Sequence, residues 1–137
     1  MLAEEKAHAG WGEADLIHNI AGLRFDKTLE TAVYRVAQEA LTNARKHAEA
    51  AHVRLLLLMR QEEPAGLPQL SLEVRDWGKG FIPQPPEGYG QVGLQSMMER
   101  VRLMNGRYEL TSTPGVGTAV CAVFPVLDLP PEVAEGR

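Results

Sequence analysis

The sequence predicts an α+β domain, a two-layer sandwich with helices on one face of a mixed, mostly antiparallel sheet. Three observations carry this expectation. A stripe of apolar residues recurs at helical period over 28–48, and several short segments alternate apolar and polar residues at strand period. Their order is strand, helix, strand, strand, a long Gly/Pro-rich connection, helix, strand, strand. At 137 residues the chain suits one core.

Residues 1–13 are polar and Ala/Gly-rich and read as a linker or the end of an upstream helix. Residues 14–126 read as the domain and 127–137, with Pro130 and Pro131, as an exposed tail. A first strand is expected over 14–20, with Leu16 and Ile20 on alternate positions, followed by Asp26 as a helix N-cap. Within 28–48, Val33, Val36, Ala37, Ala40, Ala44 and Ala48 form the apolar stripe, and Glu39, Asn43 and Lys46 a polar stripe beside it. Strands follow at 52–60, with Val53, Leu55, Leu57 and Met59 on one face, and at 70–76, with Leu70, Leu72 and Val74 on one face. Pro64, Gly66 and Pro68 mark a hairpin loop between them. The stretch 78–93 holds Gly78, Gly80, Pro83, Pro85, Pro86, Gly88, Gly90 and Gly93; loops of this length often serve as lids. A second helix over 94–105 packs through Leu94, Met97, Met98, Val101 and Met104. The last two strands, 107–112 and 117–126, flank a turn at Pro114, Gly115 and Gly117.

Net charge is −4 and the sequence pI near 5.6, which excludes a general nucleic-acid surface built on clustered Lys and Arg. The lone Cys121 excludes an intrachain disulfide framework and a Cys-rich zinc site. Apolar stretches fall far short of a membrane span and the start does not read as a signal peptide, so the expected setting is the cytoplasm.

Three segments carry chemistry. Asp76 continues the phase of Leu70, Leu72 and Val74, so its carboxylate joins a core-facing row and needs a partner there. It opens Asp76-Trp77-Gly78-Lys79-Gly80, which removes side chains where a flat ligand would approach backbone. Such a carboxylate accepts a hydrogen bond from an exocyclic amine, as on adenine; the bland alternative is an exposed strand end opening an Asp turn. Glu39, Asn43 and Lys46 lie at steps of four and three on one helix face. A solvated face is the plain reading. A carboxamide is also a reasonable single ligand for Mg²⁺, which keeps waters and phosphate oxygens as its other ligands. Lys46 would then meet a phosphate, and Glu39 would orient a water or take a proton. Gly90-Gln91-Val92-Gly93-Leu94 leads into the second helix, where backbone N–H groups and the positive dipole end suit phosphates; alternatively, Gly93 only breaks the chain. Neither the P-loop nor the dinucleotide fingerprint is present.

Together and in this order, the three segments resemble the ATP-binding domain shared by histidine kinases, DNA gyrase B, the Hsp90 chaperones and MutL, the GHKL superfamily with its Bergerat-type fold. Residues 34–48 resemble that family's N box, Val74 to Phe81 its G1 box, and Gly90 to Val101 its G2 box. Ser112-Thr113-Pro114-Gly115-Val116-Gly117-Thr118 is similar to its closing turn and strand, and the likeness runs from about 25 to 125. Gln38 to Ala48 and Met98-Glu99-Arg100-Val101 look most like sensor kinases of the nitrate-sensor (NarL-partner) group. The resemblance implies ATP and Mg²⁺ as ligands, with Asn43 on the metal and Lys46 and His47 facing phosphates. It implies Asp76 on the adenine amine, and Gly78 and Gly80 as the backbone floor. Gly90, Gly93 and Leu94 would shape lid and phosphate cradle, and Thr118 would hold an adenine-bound water. Glu39 occupies the position of the catalytic base of the hydrolytic relatives, and its role in kinases stays open. Three positions depart: Gln91 where His is frequent, Asn105-Gly106 for Gly-Gly, and bulky Trp77 beside the adenine site.

A histidine kinase passes phosphate to a histidine usually followed by Asp or Glu. His8, His18, His47 and His52 are followed by Ala9, Asn19, Ala48 and Val53, so none fits. The expectation is a fragment of a larger sensor, monomeric alone, whose partners are ATP, the histidine-bearing dimerisation domain and, indirectly, a response regulator. No nucleic acid and no direct membrane contact are expected. Two alternatives stand beside it: a self-contained serine kinase of the anti-sigma-factor type, and a non-catalytic nucleotide-sensing module.

Overall fold

The computed structural model describes residues 13–46, 52–61, 68–82 and 92–126. Five strands and two helices follow in the order β1 (Glu13–His18), α1 (Lys27–Lys46), β2 (His52–Gln61), β3 (Pro68–Asp76), α2 (Val92–Leu103), β4 (Arg107–Thr113) and β5 (Gly117–Pro125). They form one sheet of order β1-β2-β3-β5-β4 in which only the β1–β2 pair is parallel. A parallel neighbour needs a crossover, and α1 supplies it. The expected α+β sandwich is the observed one.

β1 stops at His18, two residues before the expected end. The side chain of Asn19 takes over the ladder, accepting from Met59 N–H at 2.7 Å and donating to the Met59 carbonyl at 3.1 Å. Asp26 caps α1 as expected: its carboxylate accepts the Thr28 N–H at 3.0 Å, while Glu30 reaches back to the Phe25 N–H at 3.0 Å. From there Leu29, Ala32, Val33, Val36, Ala37, Ala40, Leu41 and Ala44 are all buried. The small alanines let the helix sit close to the sheet, where Val53, Leu55, Leu70, Leu72, Val74, Val120, Ala122 and Phe124 face it. Each large aliphatic side chain so buried contributes about 1.5–3 kcal/mol. The expected end of this helix at 48 lies outside the described residues, as do 62–67 of the hairpin loop.

The second helix runs two residues earlier than expected at both ends. Its C-terminus closes with Asn105 in the left-handed region (φ 59°), the Asn105 N–H donating to the Arg102 carbonyl and Gly106 N–H to Val101, both at 2.9 Å. This pair of bonds is a Schellman closure, and asparagine tolerates the conformation that glycine more often supplies. Asn105-Gly106 is thus a working C-cap.

The two helices set the ends of the sandwich. α1 begins and α2 ends around one concavity lined by Lys27, Thr28, Thr31, Arg100, Leu103 and Met104. At that end β3 begins, β5 finishes and Arg107 of β4 pairs with Val123. The opposite end holds the start of β2, the end of β3 and the β4–β5 turn.

Candidate nucleotide site

Asp76 lies at that opposite end, the last residue of β3, between Val53 of β2 and Thr118 of β5. Its phase is the expected core-facing one and only 7% of the residue is exposed. Burial pushes its carboxyl above the usual range, and the backbone N–H groups of Gly78 and Thr118 pull it part of the way back. The Gly78 N–H donates to Oδ1 at 2.9 Å. A carboxylate offers about four lone-pair sites, so acceptor capacity is left for a ligand.

After Asp76 the chain folds across the β4–β5 turn. The Gly115 N–H donates to the Lys79 carbonyl at 2.7 Å, and the Phe81 N–H to Ser112 Oγ at 2.9 Å. Gly80 sits at φ +64°, where a Cβ would run into the Thr113 carbonyl, so both backbone conformation and space require glycine. Gly117, at φ +139°, packs as closely on the Asp76 carbonyl. Thr118 is half-buried beside Asp76, with Oγ1 2.8 Å from Ser112 Oγ. Asp76, Gly78, Gly80 and Thr118 therefore form one connected group.

Glu39 and Asn43 are both half-buried, one turn apart on α1, with Ala40 and Ala44 beside them in the core. Asn43 lies three residues before the end of α1, and the chain next enters the sheet at the Asp76 end. Only residues 47–51 separate α1 from His52, a span of at most about 20 Å. Since Val53 pairs with Asp76, the C-terminal turns of α1 are tethered to the same end of the sheet. Lys46 closes α1, and nothing of its side chain is described; His47 and Gly90 lie outside the described residues. Gly93, expected just ahead of α2, falls inside its first turn, as does Leu94, whose side chain is outside the description. Because α2 ends at the far end of the sandwich, its N-terminal N–H groups belong to the half nearer Asp76.

Trp77, expected beside the base, points away. It stacks on His52 with ring centroids 4.3 Å apart, and the Arg54 guanidinium lies 5.7 Å from its ring. His52 and Arg54 alternate with buried Val53 and Leu55, so this cluster occupies the face opposite the helices. Asp15 Oδ2, 3.1 Å from His52 Nε2, joins it to β1. Ser112 was not singled out by sequence reading. The signal was available: a Pro114-Gly115 turn pairs residues 112 and 118 across a hairpin, setting two hydroxyls opposite each other.

Among the described residues no three metal-ligating acidic, His or Cys side chains cluster. Asn43 offers a half-buried carboxamide oxygen, the hard donor type that Mg²⁺ accepts. Among the same residues no helix is long and apolar enough to cross a membrane.

Comparison with known proteins identifies the family. Residues 28–128 match the family described as histidine kinase-, DNA gyrase B-, and HSP90-like ATPase. The chain is 35% identical over 112 residues to the signal transduction histidine-protein kinase/phosphatase DegS of Brevibacillus brevis, covering 82% of this chain and 27% of that protein. It is 39% identical over 111 residues to the oxygen sensor histidine kinase NreB of Staphylococcus carnosus, covering 80% and 30%. It thus spans less than a third of the length of either relative. Among solved structures, the histidine kinase domain of the Erythrobacter litoralis EL346 blue-light activated histidine kinase shares the fold. The TM-score is 0.69 at 22% identity, over 91% of this chain and 57% of that one.

Proposed function

This chain belongs to the histidine kinase-, DNA gyrase B- and HSP90-like ATPase family, as an ATP-binding domain of the sensor histidine kinase type, and from that premise we propose that it delivers the γ-phosphate of Mg-ATP to a histidine on a separate dimerisation domain. The observation that carries the reading is the buried Asp76 carboxylate, set beside Thr118 on a glycine floor. Its acceptor lone pairs suit the exocyclic amine of adenine, and Gly78 and Gly80 let the flat base approach backbone.

Phosphates would then extend toward α1 and the start of α2. Asn43 would contribute one oxygen to Mg²⁺, which when bound neutralises phosphate charge. The α2 N-terminal N–H groups, with Gly93 and Leu94 in the first turn, would meet phosphate oxygens, as would Lys46 and His47, while Gly90 would belong to the lid. Glu39, one turn before Asn43, would orient the accepting group or take its proton. The work asked of the domain is positioning and charge neutralisation, the main terms in phosphoryl transfer. A response regulator would stand downstream, and the cytoplasm, where ATP is held, is the implied setting.

The test is phosphotransfer in trans. Mixed with Mg-ATP and the dimerisation domain of a related sensor kinase, the chain should label that domain's histidine and gain no stoichiometric phosphohistidine itself. Asn43→Ala should lower the labelling rate by at least tenfold, about the loss of one strong polar contact. Labelling unaffected by Asn43→Ala would contradict the assignment. Transfer to a serine of an antagonist protein would instead favour the serine-kinase alternative.

A further inference from the structure

Resting on the nucleotide reading above, one residue outside every assigned role controls the site. Ser112 Oγ, half-buried on β4, touches three groups. It accepts the Phe81 N–H at 2.9 Å, lies 3.3 Å from the Gly117 carbonyl and 2.8 Å from Thr118 Oγ1. An N–H can only donate, so one Ser112 lone pair is committed. The single Ser112 proton then chooses between the Gly117 carbonyl and Thr118 Oγ1.

The choice fixes what Thr118 shows a ligand. If Ser112 donates to Thr118, the threonine proton is free to point outward and Thr118 is a donor. If Ser112 donates to Gly117, Thr118 must donate to Ser112 and presents only lone pairs. The 2.8 Å separation favours the first arrangement over the 3.3 Å one. Asp76, directly across from Thr118, is an acceptor when ionised. An outward acceptor beside an outward donor matches the edge of a 6-aminopurine, whose amine donates and whose adjacent ring nitrogen accepts, directly or through water. A 6-oxopurine offers the reverse pattern.

We propose that Ser112 is a positioning residue for base selection: by holding Thr118 Oγ1 it makes that hydroxyl a donor and so favours 6-amino over 6-oxo purine nucleotides. It also ties the Gly78–Phe81 strap to the β4–β5 turn, so lost stability alone would not distinguish the two roles. The discriminating readout is the ratio of affinities for ATP and inosine triphosphate, measured by calorimetry on the full chain with Mg²⁺. Ser112→Ala should weaken ATP binding about tenfold, the scale of one buried hydrogen bond, and lower the ratio by a similar factor. Ser112→Thr keeps the hydroxyl and should hold the ratio within about twofold of wild type. Should Ser112→Ala not fold, Ser112→Cys keeps the volume with a weak donor and should show the same fall in ratio. A lower melting temperature with an unchanged ratio would overturn the proposal and leave Ser112 a structural tie. A wild-type chain that binds neither nucleotide would overturn the nucleotide reading itself, and this inference with it.

Discussion

The buried Asp76 carboxylate makes the stability of the domain depend on pH. Its folded-state carboxyl is raised, first by burial, from an unfolded value near 3.8. For an acid shifted in that direction the native state holds more protons between the two values. Its contribution to stability therefore falls as pH rises from about 3.8 through the raised value, and is flat above it. Asp76→Asn keeps an oxygen for the Gly78 N–H but removes the buried charge. The free variant is expected to melt at a higher temperature than wild type at pH 7, and the difference should shrink in acid. Thermal melts from pH 3 to pH 8 check this; a lower melting point for the variant at pH 7 would contradict it. The core-facing phase of Asp76 was legible from the alternation of Leu70, Leu72 and Val74. The direction of Trp77 was equally legible, since neighbours on a strand face opposite sides.

Elements were legible where local chemistry and pattern agree. α1 combines an Asp26 cap with an unbroken buried stripe, so its start was found within one residue. β1 ends two residues short of its apolar alternation because the Asn19 side chain imitates a ladder residue, a substitution no periodicity reveals. α2 starts two residues ahead of the expected 94 because the first turn of a helix, whose N–H groups need no intrahelical partner, accommodates Gly93. The strap after β3 depends on a conformation that composition only hints at. Gly80 combines positive φ with backbone contact, so Gly80→Ala is expected to destabilise by about 1–3 kcal/mol and to lower the melting temperature by several degrees. Urea titration at fixed pH measures the loss. An alanine variant as stable as wild type would show that the strap is free to move off the β4–β5 turn.

At the scale of the molecule, one core joins both helices to the sheet, and Phe124 is its largest fully buried side chain. Phe124→Ala should cost about 3–5 kcal/mol, a large share of the 5–15 kcal/mol typical of a domain. Denaturation followed at Trp77, on the far face, should shift together with helix signal; separate transitions would contradict a single cooperative unit. The same sandwich explains the site's placement. The end of β3 leads from Asp76 toward α2, the start of β2 receives the chain from α1, and the β4–β5 turn closes the same end, so segments far apart in sequence converge there. Sequence order exposes the three segments, and the Pro114-Gly115 turn already implies the facing of Ser112 and Thr118 that the hairpin register shows.

The central claim, that this end of the sandwich holds adenine through Asp76, is tested most directly by titrating the chain with ATP and Mg²⁺ by calorimetry, with Asp76→Asn alongside. Wild-type binding that weakens by at least tenfold in the folded variant is the expected result, since a charged hydrogen-bond partner is lost. Equal affinities in the two proteins would contradict the assignment of the adenine site.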